Sequence, residues 1–346
     1  MCLEGGAALP DDTPAITHHQ PRMNRILVTG ANGQIGSDLV RMLRREHGTD
    51  RVVALDLQPP PGANGAADGC RYETVDVRDR AALDRVVRTH EVGTVYHLAS
   101  LLSASGERHP DRTWDVNVNG LKHVLDLART HQLKVFWPSS IAVFGPDAPK
   151  ERTPQETILN PDTMYGVTKR SGELLCRYYH KRFGVDVRSL RYPGLISYTA
   201  PPGGGTTDYA VDMLAAAVRG DAYTCFLRPD TRLPMMYMPD ALRAVRTLMA
   251  ADPDALSVRT SYNVAAFSFS AEELAAAIHA RCPGFEVAYE PDERQAIAET
   301  WPSSVDDTTA RTDWGWTPTF DLGAMVEDML EHLRERVSGG VREWGS

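Results

Sequence analysis

The chain has 346 residues, of which 42% are hydrophobic and 24% are charged, and its formal net charge is −9. Such a composition is typical of a globular protein with one large domain or two joined domains. The acidic balance disfavours nucleic acid or an anionic membrane as the main partner, because both require a concentrated basic surface. This acidic balance favours a small molecule as the main partner.

The N-terminal residues 1–22 are rich in Gly, Pro and Asp without periodicity, and we predict a disordered extension there. They lack the basic flank and apolar run of a secretory signal, and no window of about 18 apolar residues predicts a membrane span. We therefore expect a cytoplasmic protein. The five cysteines are scattered and the histidines form no ligand spacing, so reduced thiols and no metal site are expected.

From Met23 onward, short apolar runs alternate with amphipathic stretches of helical length. RILVT, RVVALD, YETV, TVYHLA, KVFWPSS and VRSLRYP predict strands, whereas residues 34–47, 79–90, 111–130 and 163–183 predict helices. This alternation predicts an α/β fold, a doubly wound parallel sheet of Rossmann type with helices on both faces.

The pattern changes after residue 195 to Gly- and Pro-rich loops, short strands, and helices near 208–219, 240–251, 270–280 and 321–336. This part predicts a smaller mixed α/β lobe. We expect a dinucleotide-binding Rossmann domain over residues 23–196, with later contributions near 236–266, and a mostly substrate-binding lobe over residues 197–346.

A glycine-rich turn, TGANGQIG, follows the first β-branched run and leads into an amphipathic helix. Gly30, Gly33 and Gly36 let the backbone approach a pyrophosphate, whose charge is favoured at the helix N-terminus. Gln34 and Ile35, which open the helix, are counted with the glycines as cofactor-binding residues. The spacing is GxxGxxG, one residue wider than the most quoted dinucleotide fingerprint.

An acidic residue, Asp56, ends the strand RVVALD twenty residues after Gly36. Its carboxylate can accept hydrogen bonds from the adenosine ribose hydroxyls and would repel a 2′-phosphate, which favours NAD over NADP. Asp76 and Val77 follow the next strand, where they would meet the adenine ring. A structural turn beside a surface aspartate is the weaker interpretation, because strand, turn, helix, strand and acid occur in the expected order.

A tyrosine and a lysine, Tyr165 and Lys169, lie four residues apart and so share one face of a predicted helix. A nearby ammonium and a cationic nicotinamide would lower the phenol pKa from about 10 by roughly 1–3 units. The tyrosine could then act as a general base at neutral pH. The spacing alone is weak evidence for catalysis, since a packed tyrosine ring beside a solvated lysine would show the same spacing. Ser140 ends a strand upstream and can hydrogen-bond the reacting oxygen, with Ser139 as a reserve candidate.

Several motifs along the chain carry a family resemblance. They are TGANGQIGSDL, Asp56, HLAS at 97–100, NVNGLKHVLDLA from Asn117, SSIAVFG, YGVTK, LRYPGLIS at 190–197, MPDA at 238–241 and ARTDWGWTP at 310–318. Together they resemble the extended short-chain dehydrogenase/reductase family, from about Met23 to the C-terminal helix. The resemblance implies a triad of Ser140, Tyr165 and Lys169, with Lys169 also holding the nicotinamide ribose. It further implies that Leu98 and Asn117 line the cofactor cleft and that the backbone around Leu195 meets the nicotinamide carboxamide.

Three loop segments narrow the resemblance to one branch of the family. The segments are YPGLISYTAPPGGGTTDYAVDM, LRPDTRLPMMYMPDA and, earlier in the chain, LLSASGE at 101–107. They are similar to the NAD-dependent L-threonine 3-dehydrogenases. This implies oxidation of the β-hydroxyl of L-threonine to 2-amino-3-oxobutyrate, a step of threonine catabolism. By the same resemblance Thr206 and Thr207 bind the amino acid head group and Ser103 faces it. An N-cap box for the following helix, through Asp208 and Tyr209, is the alternative role of the threonines.

Two other functions stay open on the sequence alone: a nucleotide-sugar epimerase or dehydratase, and a non-catalytic NAD-sensing protein. A nucleotide diphosphate requires Arg or Lys near its phosphates, whereas residues 197–213 contain neither. A zinc-dependent threonine dehydrogenase is excluded, because no Cys and His set supplies its ligands. We expect a homodimer through a four-helix interface of helices 111–130 and 163–183. Whether Trp301 and Trp314 line the pocket or only the core is undecided.

Overall fold

The computed structural model of the protein describes residues 25–59, 71–199 and 203–338, so the extension expected over residues 1–22 lies outside the described residues. Within these ranges the strands are β1 (Arg25–Thr29), β2 (Val52–Asp56), β3 (Arg71–Thr74), β4 (Val92–His97), β5 (Lys134–Ser140), β6 (Val187–Tyr192), β7 (Gly194–Ile196), β8 (Tyr223–Cys225), β9 (Arg232–Tyr237), β10 (Tyr262–Asn263), β11 (Phe267–Ser270) and β12 (Val287–Tyr289).

Seven of these strands form one parallel sheet in the order β10-β6-β5-β4-β1-β2-β3. The chain order reverses between β1 and β4, so a crevice opens outside the carboxyl ends of the strands at this point. The predicted α/β fold of Rossmann type is confirmed.

The helices of the described ranges are α1 (Gln34–His47), α2 (Arg80–Thr89), α3 (Ser103–Arg108), α4 (Pro110–Trp114), α5 (Gly120–His131), α6 (Met164–Phe183), α7 (Tyr209–Arg219), α8 (Met238–Ala250), α9 (Ala271–His279), α10 (Glu293–Thr300), α11 (Thr308–Trp314) and α12 (Leu322–Ser338). None of them combines the length and the apolar composition that crossing a bilayer would need.

The two faces of the large sheet bury different helices because successive strand residues point to opposite sides. Ile26 and Val28 of β1 pack in one cluster with residues of α1 and α8. Leu27, between them, packs in another cluster with residues of α2, α5 and α6. The sheet is therefore covered on both sides, as its apolar strands require.

A third hydrophobic cluster lies beyond the large sheet, mostly among residues that follow β6 but including residues 141–144 and 148. β7, β9 and β11 form a three-stranded sheet, β8 and β12 pair in parallel, and α7, α9 and α12 pack around them. β10 belongs to the large sheet although it comes after β9 in the chain.

The helix expected over residues 111–130 is interrupted. It consists of α4, a π-helical segment over Asp115–Asn119, and α5. A π-helical turn inserts an extra residue into the helical ladder and often marks a functional site. Here the segment contains Asn117, one of the expected cofactor-cleft residues. The short helices α3, α10 and α11 have few apolar positions and were not predicted.

Candidate active site

The catalytic candidates Ser140 and Tyr165 come from two adjacent elements, the carboxyl end of β5 and the first turn of α6. The Thr163 hydroxyl accepts a 3.1 Å hydrogen bond from the Gly166 N–H, which caps the helix and fixes where it begins. Tyr165 therefore lies in the first turn, with Lys169 one turn further along the same face.

The Lys169 ammonium is buried, with only 3% of the residue exposed. It donates a 2.8 Å hydrogen bond to the Pro138 carbonyl oxygen and lies 5.5 Å from the centre of the Tyr165 ring. The Trp137 ring centre is 4.9 Å away on β5. Lysine and tyrosine thus line the same cavity, and the burial of Lys169 makes a solvated surface lysine an incorrect interpretation.

Burial controls the ionisation of both groups. It raises the Tyr165 pKa to about 12, and a hydrogen bond with the Ser140 side chain only partly opposes this. Burial also lowers the Lys169 pKa to about 7. For the protein's own groups, the phenol pKa therefore moves opposite to the lowering that the sequence led us to expect. Burial outweighs the Ser140 hydrogen bond, and a phenolate requires additional positive charge in the cleft.

The reserve candidate, Ser139, has a different partner. Its hydroxyl donates a 2.8 Å hydrogen bond to Oε1 of Glu173, which also accepts from the Arg191 guanidinium at 2.8 Å. All three residues are buried. This network ties the end of β5 to α6 and β6, so Ser139 supports the site while Ser140 is the serine beside the phenol.

A cavity of about 150 Å³ opens beside the triad. The expected substrate residues Ser103 and Thr206 face each other there, with their hydroxyl oxygens 3.5 Å apart. Further lining residues are Gln34, Ile35, Leu98, Ser100, Leu102, Ser139, Ser140, Tyr165, Lys169, Pro193, Gly194, Leu195, Gly205, Thr207, Asp208 and Trp301. Among the described residues that line this cavity, Lys169 alone has a cationic side chain.

The helix-capping alternative for Thr206 and Thr207 is wrong. α7 begins at Tyr209 with Asp208 as its N-cap residue, and no side chain caps its first turn. The Asp208 carboxylate instead accepts hydrogen bonds from the Gly204 and Gly205 N–H groups at 2.8 and 2.6 Å. Burial raises its pKa to about 6, although these N–H groups act in the opposite direction. The threonine side chains are thus available to the cavity.

The two tryptophans left undecided by the sequence have different places. Trp301 lines the triad cavity, and its buried indole N–H has no hydrogen-bond partner within the described ranges. Trp314 packs against Tyr262 and Trp316 in the core and does not line this cavity. An unpaired N–H beside a cavity can donate to a ligand. Trp301 comes from the loop after α10, more than 100 residues from the triad, and carries no motif.

A second cavity, of about 380 Å³, lies at the glycine turn. Gly30 has a positive φ of 71°, and a Cβ atom there would lie 2.6 Å from the Ala99 nitrogen. A Cβ atom on Gly36 would lie 2.0 Å from the Gly30 carbonyl oxygen. Only glycine permits this close packing of turn and helix. The lining includes the expected residues Gly30, Gly33, Asp56, Asp76, Val77 and Leu98.

The residues of both cavities fit a dinucleotide. The Asp56 carboxylate is held by the N–H groups of Asn32 and Leu57 at 2.9 and 2.7 Å, so it is positioned to accept from ribose hydroxyls. The Gln34 side-chain nitrogen, at the start of α1, is buried without a partner among the described residues. Such a donor fits an acceptor oxygen supplied by a ligand.

One expected cofactor-cleft residue, Asn117, lies outside both cavities. The Asn117 amide is engaged with the Leu101 backbone at 2.8 and 3.0 Å and with the Thr168 hydroxyl at 3.1 Å, and it lines neither cavity. Any role of Asn117 is therefore indirect, through the segment after β4. Arg78, which the sequence did not single out, borders the glycine-turn cavity. Its guanidinium nitrogen lies 2.6 Å from a carboxylate oxygen of Asp76. This pairing lowers the Asp76 pKa.

The glycine turn, the held acid, the partly buried Ser140 and Tyr165 and the buried Lys169 at the carboxyl edge of a parallel sheet define an oxidoreductase-type dinucleotide enzyme. The model of the NAD dependent epimerase/dehydratase family matches residues 26–265. The chain belongs to this family, so the expected extended short-chain relationship and the NAD dependence are confirmed.

Known proteins resemble the chain over nearly its whole length. An uncharacterised epimerase/dehydratase of Staphylococcus haemolyticus is 47% identical over 315 residues, covering 91% of this chain and 99% of the relative. The holo structure of a GalE-like L-threonine dehydrogenase from Cupriavidus necator is 52% identical with a TM-score of 0.87, covering 89% and 99% of the two chains. The L-threonine dehydrogenase of Clostridium difficile is 46% identical with a TM-score of 0.88, covering 91% and 99%.

Proposed function

We propose that the protein oxidises L-threonine at its β-hydroxyl with NAD, forming 2-amino-3-oxobutyrate and NADH. The observation that carries this proposal is the triad cavity, which is small and lined by hydroxyl groups rather than arginines. The similarity to L-threonine dehydrogenases at 46% and 52% identity supports the same substrate.

In this proposal, Tyr165 is the general base that takes the proton of the substrate hydroxyl. Ser140 hydrogen-bonds the same oxygen, and Lys169 supplies positive charge next to the phenol and holds the nicotinamide ribose. Bound NAD would accept the hydride from the β-carbon, and its cationic ring adds the charge that the phenol pKa requires.

The head group of threonine has matching partners in the cavity. Ser103 and Thr206 offer hydroxyls, and Trp301 offers an N–H that can donate to the carboxylate. The buried Asp208 carboxylate borders the same space and suits the ammonium group. Binding an ammonium there would favour the ionised form of Asp208, whose pKa is otherwise raised by burial.

Replacing Tyr165 by Phe tests the catalytic assignment. Turnover, followed as NADH absorbance, should fall below a few per cent of wild type, while NAD binding persists because only the phenol oxygen is lost. Tyr178→Phe is the matched control, since this tyrosine lies on the same helix with 54% of its surface exposed. Substantial residual activity in Tyr165→Phe would remove Tyr165 from the base role.

The two competing functions are separated by substrate. A nucleotide-sugar enzyme should act on UDP-sugars and ignore L-threonine, whereas an NAD sensor should bind NAD tightly and turn over neither. The cavity lining argues against the first, because Lys169 would have to serve both the phosphates and Tyr165. Assays with L-threonine, L-serine, L-allo-threonine and UDP-sugars decide among the three.

We further propose a homodimer formed through α5 and α6. α6 exposes Val167, Leu174, Tyr178 and Phe183, which is unusual for a helix that also packs in a core. A Leu174→Glu variant should be monomeric by light scattering coupled to size-exclusion chromatography, with Arg177→Glu as a control on the same helix. A wild-type protein of monomer mass would contradict the dimer, and one relative is itself described as monomeric.

A further inference from the structure

A third cleft lies between α1 and α8, and it shares no lining residue with the two cavities described above. Its volume is about 640 Å³, within the range of small-molecule sites. Four arginine side chains border it: Arg41 and Arg45 from α1, and Arg243 and Arg246 from α8. The protein as a whole is acidic, so this concentration of guanidinium groups is local.

The arginines exceed the carboxylates that border the cleft. Arg41 pairs with Asp38 at 2.7 Å and Arg246 pairs with Glu46 at 3.2 Å, and both arginine side chains are 54% exposed. The Glu46 side chain is 33% exposed, and an exposed pair contributes little stability, so Arg246 can turn toward a ligand at small cost. The Asp38 side chain is only 9% exposed and also accepts hydrogen bonds from the Ser197 and Thr199 hydroxyls, so Arg41 is held more firmly. Arg45 is exposed and has no hydrogen-bond or ion-pair partner in the part of the chain that the structure describes.

The fourth arginine has a different role. Arg243 is held by Asp240 at 2.7 Å and lies over the Trp316 ring, 5.1 Å from its centre. It therefore contributes fixed positive charge at one wall. Met42, Met238, Pro239 and Leu242 are the apolar lining residues and form what we name the apolar floor, and the lining also contains Tyr198 and the polar Ser197 and Thr199.

We propose that this cleft binds an oligophosphate chain, either free or as part of a nucleoside di- or triphosphate. Guanidinium groups match phosphate oxygens in geometry and donate two parallel hydrogen bonds, which is why arginine predominates in phosphate recognition. Several guanidiniums around one cleft suit a ligand with several phosphates. The apolar floor offers a surface for a nucleoside, should the phosphates carry one.

Isothermal titration of the full-length protein with magnesium-free tripolyphosphate, ATP and inorganic phosphate tests this inference. The titrations use protein holding one NADH per chain, because ATP would otherwise enter the dinucleotide cavity. Tripolyphosphate and ATP should bind saturably, more tightly than inorganic phosphate, and more weakly as salt is added. ATP binding tighter than tripolyphosphate indicates a nucleoside on the apolar floor, and equal affinities indicate the phosphate chain alone.

Charge reversal locates the site. Arg45→Glu should lower the affinity for tripolyphosphate by about tenfold or more, since a charge-assisted hydrogen bond contributes a factor of this order. Arg85→Glu is the control, because Arg85 is likewise exposed but lies on α2, which packs against the other face of the sheet. NADH binding verifies that each variant is folded, and Arg246→Gln provides a second, milder removal of charge.

Three results would overturn the inference. They are the absence of saturable tripolyphosphate binding to the NADH-loaded protein, unchanged affinity in both Arg45→Glu and Arg246→Gln, and an equal loss of affinity in Arg85→Glu. The threonine assay does not enter this test, so failure here is independent of the proposed dehydrogenase activity.

Discussion

The Lys169 ammonium donates its 2.8 Å hydrogen bond to the carbonyl oxygen of Pro138, two residues before Ser140 on the adjoining strand. Within the described residues no carboxylate forms an ion pair with this lysine, and burial lowers its pKa to about 7. Its charge is therefore costly to keep in the folded protein. Replacing Lys169 should therefore change the stability of the protein as well as its rate of turnover.

Lys169→Met should make the protein without cofactor more stable at neutral pH. The lysine titrates at 10.5 when unperturbed and at about 7 in the folded protein, so the unfolded chain binds more protons between these values. Wild-type stability consequently gains from this group as pH rises through that window. The variant has no buried ammonium to discharge. Its free energy of unfolding should exceed that of the wild type by on the order of a few kcal/mol near pH 7, and this difference should shrink toward pH 10.

Urea unfolding at several pH values measures this difference, and turnover of the variant should be lost. The dependence on pH is the diagnostic quantity, because the Pro138 carbonyl loses its donor at every pH. A difference in unfolding free energy that stays constant across the window would contradict the lowered pKa.

Glu173→Gln should destabilise the fold. Glu173 is fully buried and receives the Arg191 guanidinium at 2.8 and 2.9 Å, so the substitution leaves a buried positive charge without its counter-ion. Breaking a buried pair in this way costs about 3–5 kcal/mol. Urea unfolding measures the change, with Glu331→Gln, an exposed residue of α12, as the control. Equal stabilities of the two variants would show that the network does not hold β5 to α6.

Trp301→Phe should raise the KM for L-threonine several-fold while leaving NAD affinity nearly unchanged. The substitution removes buried ring volume, which lowers stability, and an N–H that has no described partner, whose loss costs affinity when a ligand would accept its hydrogen bond. Trp314→Phe is the control, because its buried N–H is also unpaired but lies away from the cavity. Steady-state kinetics compare the two, and equal KM values would exclude Trp301 from substrate binding.

Asp56→Ser should increase the use of NADP relative to NAD. The Asp56 carboxylate is fixed by two backbone N–H groups at the edge of the glycine-turn cavity, where it would repel a 2′-phosphate. Asp50→Ser, at an exposed position before β2, is the control. The ratio of kcat/KM for the two cofactors measures the effect. An unchanged ratio would mean that cofactor choice is set elsewhere.

Much of the fold could be predicted from the sequence, because hydrophobic periodicity depends on the same burial that forms the sheet. The bounds of β1 and α1 agree with the apolar run RILVT and with the helix expected over 34–47. The π-helical segment over Asp115–Asn119 could not be predicted, since a shift in backbone hydrogen bonding leaves no mark on composition.

The site was predictable where it rests on local spacing, as for Tyr165 and Lys169, and unpredictable where it depends on tertiary contact. Trp301 reaches the cavity only through the packing of a distant loop. Arg45 resembles an ordinary solvent-facing residue of α1 until α8 lies beside it. The direction of the Tyr165 pKa shift depends on burial, which the spacing of two residues does not report.

Leu98 and Ser100 border both the glycine-turn cavity and the triad cavity, so one short segment after β4 forms a wall common to both cavities. A mutation in this segment is therefore expected to change the affinity for NAD together with that for the proposed substrate. Selection for a new alcohol substrate at these positions is therefore constrained by retention of the dinucleotide, and engineering of either preference has more freedom at residues that border one cavity alone.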